Sequence, residues 1–233
     1  MRVTEFDSLA SMSGDLAAQI ALRLERPIAK KGQATIALSG GSTPSPLYKA
    51  LSLQSIDWSK VTGVLVDERW TPRNADGSNE RFIKNTLQRD SAENIKIIGL
   101  WSDTPFPCDA AKSADKRIRV GAVRPFDIVI LGMGEDGHTA SWFPHATGLD
   151  RALETEDIVC NVHAIRSAVT GPFIDRLTLT FSAIRDARLI FLLLSGQAKR
   201  AALGHAMGDG PVDEMPVRAV LRARPDMMIC WAP

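Results

Sequence analysis

Ile128-Val129-Ile130-Leu131-Gly132-Met133-Gly134-Glu135-Asp136-Gly137-His138-Thr139 is the most informative stretch of this 233-residue sequence. Its first four residues form a continuous apolar run, the pattern of a strand buried on both faces. Three glycines then strip the following loop of side-chain bulk. They leave one acid–base pair, Asp136 and His138. A histidine titrates near neutrality and can take and return a proton at cell pH. A neighbouring carboxylate can orient it and support its charged form.

Outward from this stretch the same rhythm repeats. Thr35–Leu38, Val64–Val66, Ile95–Ile98, Ile158–Val162, Leu189–Leu194 and Met227–Ile229 read as further buried strands. Helical patterns fall at Pro44–Leu53, Asn79–Leu87, Ala110–Val120, Ile174–Ile184, Gln197–Met207 and Pro216–Leu221. Leu9, Met12, Leu16, Ile20 and Leu24 predict an amphipathic first helix that ends near Pro27. This alternation predicts an α/β fold with a mainly parallel sheet, organised as one domain over residues 1–233. Ligands of such sheets bind beyond the carboxyl ends of the strands, so the loops there are the places to look.

After the first of these strands comes Ser39-Gly40-Gly41-Ser42-Thr43-Pro44. Its glycines allow close backbone approach, Thr43 can cap the next helix, and Pro44 suits that helix's first position. The free amides of a helix start attract phosphate; an ordinary tight turn is the competing reading. Asp67-Glu68-Arg69 follows Val64–Val66, either as a solvated strand end with a surface ion pair or as an anion clamp. Ser78 or Asn79 is expected to cap the following helix. Lys199 falls in the first turn of a helix, where the macrodipole disfavours a cation unless an anion lies beside it. Arg176 likewise faces either an anion or water.

Other chemistries find little support. Gly132, Gly134 and Gly137 formally match a dinucleotide fingerprint. The acidic residue expected at the end of the next strand is missing, because that strand closes in Val-Cys-Asn-Val-His. No G-x-S-x-G elbow or HExxH set occurs, and the three cysteines are widely spaced. No metal and no organic cofactor is expected. The net charge of +1 gives no footprint for nucleic acid or a membrane surface. Without a secretory pattern or a long apolar run, a cytoplasmic protein with reduced thiols is expected.

Taken in order, Ser39–Pro44, Asp67–Arg69, Gly132–Ser141, Arg176–Thr180 and Gly196–Lys199 resemble the 6-phosphogluconolactonase family over nearly the whole chain. Trp142 and Thr71 are small departures, standing where Leu and Val are usual. The resemblance implies a Rossmann-like three-layer αβα sandwich shared with sugar-phosphate isomerases and deaminases. It implies hydrolysis of a small phosphosugar lactone, 6-phospho-D-glucono-1,5-lactone, by a monomer or homodimer. In that setting His138 is the general base and acid, Asp136 holds its ring, and Arg69 stabilises an oxyanion or positions the lactone. Ser39, Gly40, Gly41 and Ser42 receive the phosphate, with Lys199 and Arg176 as counter-charges. A glucosamine-6-phosphate deaminase is the nearer alternative. That family carries Asp-Glu-Tyr where this chain has Asp67-Glu68-Arg69, and a glutamate where it has Phe143. A non-catalytic sugar-phosphate sensor is the other alternative.

Overall fold

Every side chain of Ala34–Leu38 and Val61–Leu65 is buried, so both faces of these strands are covered by other layers. The computed structural model describes all residues from Met1 to Pro233. Its strands, in chain order, are β1 (Val3–Glu5), β2 (Ala34–Leu38), β3 (Val61–Leu65), β4 (Asp67–Arg69) and β5 (Lys96–Ile98), followed by β6 (Ile128–Gly132), β7 (Val159–His163), β8 (Asp175–Leu179), β9 (Leu189–Ser195) and β10 (Met228–Ala232). The helices are α1 (Leu9–Lys31), α2 (Ser45–Ser52), α3 (Asn79–Thr86), α4 (Pro107–Gly121), α5 (Leu149–Glu154), α6 (Phe181–Arg185), α7 (Gln197–Met207) and α8 (Val217–Ala223).

Seven strands form one parallel sheet in the order β1-β10-β9-β6-β2-β3-β5. Helix contacts run from α1 to α2 to α3 in one group and from α5 to α6 to α8 to α7 in another, while α4 packs on β5, β7 and β8. The sheet flanked by helices is the predicted α/β, Rossmann-like architecture. One apolar cluster runs through it, from Met12 and Leu16 of α1 to Ile229 and Ala232 of β10. No helix is long and apolar enough to cross a membrane.

Four expectations need correction. Helix α1 does not end at Pro27; it runs through the proline to Gly32, whose left-handed conformation and N–H to Ile28 O (2.9 Å) close it. Ile28 packs on the core, and Lys30 and Lys31 favour the negative helix end, offsetting the lost hydrogen bond at Pro27. Ile174–Ile184 is not a helix. Asp175–Leu179 pairs antiparallel with β4 and β7, and Thr180 then caps the short α6. Ile158–Val162 is a strand, but β7 belongs to this separate three-stranded sheet, β4-β8-β7. Asp67–Arg69 is itself strand β4 and not a loop.

Candidate active site

The chain leaves β2 toward β3 and β5 on one side of the sheet, and leaves β6 toward β9 and β10 on the other. β2 and β6 are neighbours, so the loops after them diverge and open a crevice at the reversal point. Ser39–Ser42 follows β2, and Gly132–His138 grows out of β6. The crevice holds a cavity of about 210 Å³. Ser39, Gly40, Gly41, Ser42, Arg69, His138, Arg176 and Lys199, scattered over the sequence, all line it. Asp136 stands behind the histidine.

His138 Nδ1 lies 2.6 Å from Asp136 Oδ1, and the backbone N–H of His138 donates to the same oxygen at 3.1 Å. With Nδ1 engaged, Nε2 is the ring nitrogen left for a substrate. Burial raises the Asp136 carboxyl, but its hydrogen bond to the ring, the ring's charge and the backbone N–H outweigh this and hold it below the ordinary value. Gly134 is required for close approach: a Cβ there would stand 2.2 Å from His138 Nδ1. Phe143 covers the imidazole with ring centroids 4.5 Å apart, and the Arg176 guanidinium sits 5.2 Å over the same phenyl ring.

The cationic wall comes from the small sheet. Arg69 and Arg176 are directly opposite in the β4–β8 register. Arg176 is buried, donating to Phe173 O (2.6 Å) and Thr170 O (3.0 Å), with Asp67 Oδ2 4.0 Å away. Burial brings its guanidinium down to about 10, so it stays charged at neutral pH. Arg69 donates to Gly77 O through one terminal nitrogen, while its Nε is buried without a partner. Lys199 is half-buried; burial lowers its ammonium, against the opposing influence of Glu135.

Glu68 was not expected in the core, yet it is fully buried. Its carboxylate accepts from Arg69 N, Ser78 Oγ, Asn79 N and Glu80 N at 2.7–3.0 Å, satisfying the start of α3. Burial nevertheless pushes its pKa up to about 7. The Ser78 hydroxyl also accepts from Arg81 N, so the expected cap of this helix is present. Thr43 does not cap α2; its hydroxyl meets Ser195 Oγ at 2.8 Å and ties the first loop to the end of β9. Ser39 lines the cavity, but its hydroxyl is committed to Ile130 O at 2.7 Å.

Sequence reasoning did not assign Asp67, Asn79, Met133, Ala140, Phe143 or Val169 to the cavity they line. Asp67 is buried and accepts from Ser141 Oγ (2.7 Å) and Asn79 Nδ2 (3.1 Å). Asn79 is held so close to Gly40 that a Cβ at Gly40 would stand 2.1 Å from its Oδ1. A polar Asn opening a helix just after Asp67-Glu68-Arg69 was a usable signal. An apolar Phe143 or Val169 offered none.

Residues 7–231 match the family described as glucosamine-6-phosphate isomerases/6-phosphogluconolactonase. The chain is 40% identical to a 6-phosphogluconolactonase of Rhizobium meliloti, covering 98% of this chain and 97% of that one. It is 37% identical to one of Pseudomonas aeruginosa, over 97% and 92% of the two chains. A crystal structure of a 6-phosphogluconolactonase from Shewanella baltica superposes with a TM-score of 0.92 at 38% identity, covering 99% and 97%. A monomeric glucosamine-6-phosphate deaminase shares the fold, with a TM-score of 0.80 at 18% identity over 100% and 97%.

Proposed function

The chain belongs to the glucosamine-6-phosphate isomerase/6-phosphogluconolactonase family, and we propose that it hydrolyses 6-phospho-D-glucono-1,5-lactone to 6-phosphogluconate in the oxidative pentose phosphate pathway. The observation that carries the reading is the Asp136–His138 pair opening onto a cavity walled by Arg69, Arg176 and Lys199. The substrate phosphate lies against the Ser39–Ser42 loop, with Lys199 and Arg176 as counter-charges, and this anchoring orients the lactone carbonyl. His138 Nε2 takes a proton from water as the water oxygen attacks C1. Asp136 supports the resulting imidazolium, and Arg69 faces the developing oxyanion. The C1–ring oxygen bond then breaks and His138 returns the proton to the ring oxygen. Phe143 places an apolar ring on His138 where a deaminase would carry a carboxylate. The whole chain acts as one domain. Its three unpaired cysteines suit a reducing, cytoplasmic setting.

The test is hydrolysis of fresh lactone with the spontaneous rate subtracted. A positioned general base contributes roughly 10²–10⁴-fold and an oxyanion donor about 10²–10³-fold. His138→Ala and Arg69→Ala are expected to lose activity on those scales while remaining folded. Near wild-type turnover by His138→Ala would sink the mechanism, and ammonia release from glucosamine 6-phosphate would replace the substrate.

A further inference from the structure

At the amino ends of the strands, opposite the active site, lies a second cavity of about 460 Å³, within the ordinary size of small-ligand sites. Arg23, Arg26, Lys30 and Lys31 of α1 and Arg188 before β9 line it, against a single carboxylate, Asp127. A net charge of +1 for the whole chain makes this concentration of cations a local feature. Asp127 does not neutralise it: its oxygens are shared among Lys31 (2.9 Å), Arg188 (3.4 Å), Thr35 N (2.9 Å) and the Thr35 hydroxyl (3.2 Å). Lys30 and Lys31 fit the helix C-terminus, but Arg23 and Arg26 lie more than a turn before it, where the macrodipole gives no such support. Arg26 and Lys30 are also like charges at i,i+4, which disfavours the bare helix. Arg23 Nε is buried and has no hydrogen-bond partner.

We propose that this cavity is a second anion site, which takes a compact polyphosphate group through the arginine forks of Arg23, Arg26 and Arg188. The lining holds no aromatic ring, so recognition rests on charge and guanidinium geometry and not on stacking. Strands β2 and β6 separate it from the catalytic crevice by their five-residue length, about 16 Å. One small ligand cannot reach both.

Titration calorimetry with inorganic pyrophosphate tests the site, using wild type, Lys199→Ala, Arg23→Ala and the exposed pair Arg26→Glu/Lys30→Glu. Wild type and Lys199→Ala are expected to bind alike at this site. Each change at the second cavity is expected to weaken binding at least about tenfold, the scale of one lost charge-assisted hydrogen bond. Lactone turnover by Arg26→Glu/Lys30→Glu is expected to stay at the wild-type level. A parallel ATP titration separates sources: equal affinity means a nucleotide's phosphate chain enters, and a loss means the free diphosphate is required. Absent binding, or binding that falls with Lys199→Ala and ignores the α1 substitutions, overturns the proposal. Because pyrophosphate binding is read without any lactone, failure here is distinguishable from failure of the catalytic reading.

Discussion

Gly134→Ala separates the geometry of the acid–base pair from every other feature of the site. An alanine Cβ would stand 2.2 Å from His138 Nδ1, 2.3 Å from its Cε1 and 2.5 Å from Asp136 Oδ1. Gly134 is not among the positive-φ residues, so its backbone accepts an alanine and the clash falls on the ends of two side chains. Restoring ordinary contact requires both the ring and the carboxylate to move by about 1 Å, and a misplacement of that size costs on the order of 10²-fold in rate. Complete loss of the base sets the ceiling at roughly 10⁴-fold. The expected result is a kcat lower by about 10²–10³-fold. KM should change little, since Arg69, Arg176 and Lys199 are untouched. Melting should also change little, because the displaced groups are the partly exposed ends of two side chains at the rim of a cavity. Initial rates of proton release from fresh lactone, corrected for spontaneous hydrolysis, measure the first two; thermal unfolding measures the third. Gly134→Ala/His138→Ala should be no slower than His138→Ala alone, because both act on one unit. Turnover by Gly134→Ala within threefold of wild type would show that the observed dyad geometry is not what catalysis uses.

Lys199→Ala should raise KM and leave kcat within a few-fold, as a remote phosphate contact does; an unchanged KM in steady-state assays removes Lys199 from the phosphate site. Glu68→Gln replaces one doubly accepting oxygen with an NH₂ facing the donors at the start of α3, at a cost of about 1–3 kcal/mol in urea unfolding. The Glu68 pKa, about 7 in the fold, is above the unfolded value of about 4.3, so its contribution is full below the latter and fades as pH rises through 7. The penalty of Glu68→Gln should therefore be larger at pH 5 than at pH 8; the opposite order refutes that titration.

Six strands of the main sheet were legible because they carry apolar runs, a pattern set by burial on both faces; the seventh, the edge strand β1, reads Val-Thr-Glu, is mostly exposed and gave no such signal. The small sheet was not legible. Its strand β4 is three charged residues, of which Asp67 and Glu68 are buried through hydrogen bonds from α3, over ten residues away. Strand β8 reads Asp-Arg-Leu-Thr-Leu, and Ile174, Leu177, Phe181 and Ile184 in and around it recur at helical spacing until antiparallel partners on both sides decide otherwise. Pro27 misled for a related reason: tertiary contacts of Ile28 carry α1 past a residue that would end an isolated helix. At the site, residues with unusual chemistry for their position were visible: a histidine among glycines, a lysine in a first helical turn. Their mutual distances came only from the sheet order that brings β2 beside β6.

The pairing of Arg69 with Arg176 is the point where fold and function most directly oppose each other. Like charges opposite on an antiparallel pair destabilise it, and here one of the two is buried as well. Asp67, 4.0 Å from Arg176, balances only part of this charge while also accepting from Ser141 and Asn79. On the proposed reading, a bound phosphorylated acid would supply the missing anion. Saturation with 6-phosphogluconate at about 100 times Kd should stabilise the protein by about 2.7 kcal/mol. Arg69→Met should leave the free protein as stable or more so, because it removes one of the opposed charges and keeps the chain length. The same change should cut the stabilisation by product at a fixed concentration, because affinity falls. Thermal melts with and without product measure both effects. If Arg69→Met lowers the stability of the free protein and leaves the product-induced shift intact, Arg69 serves the fold, through its hydrogen bond to Gly77, and not the ligand.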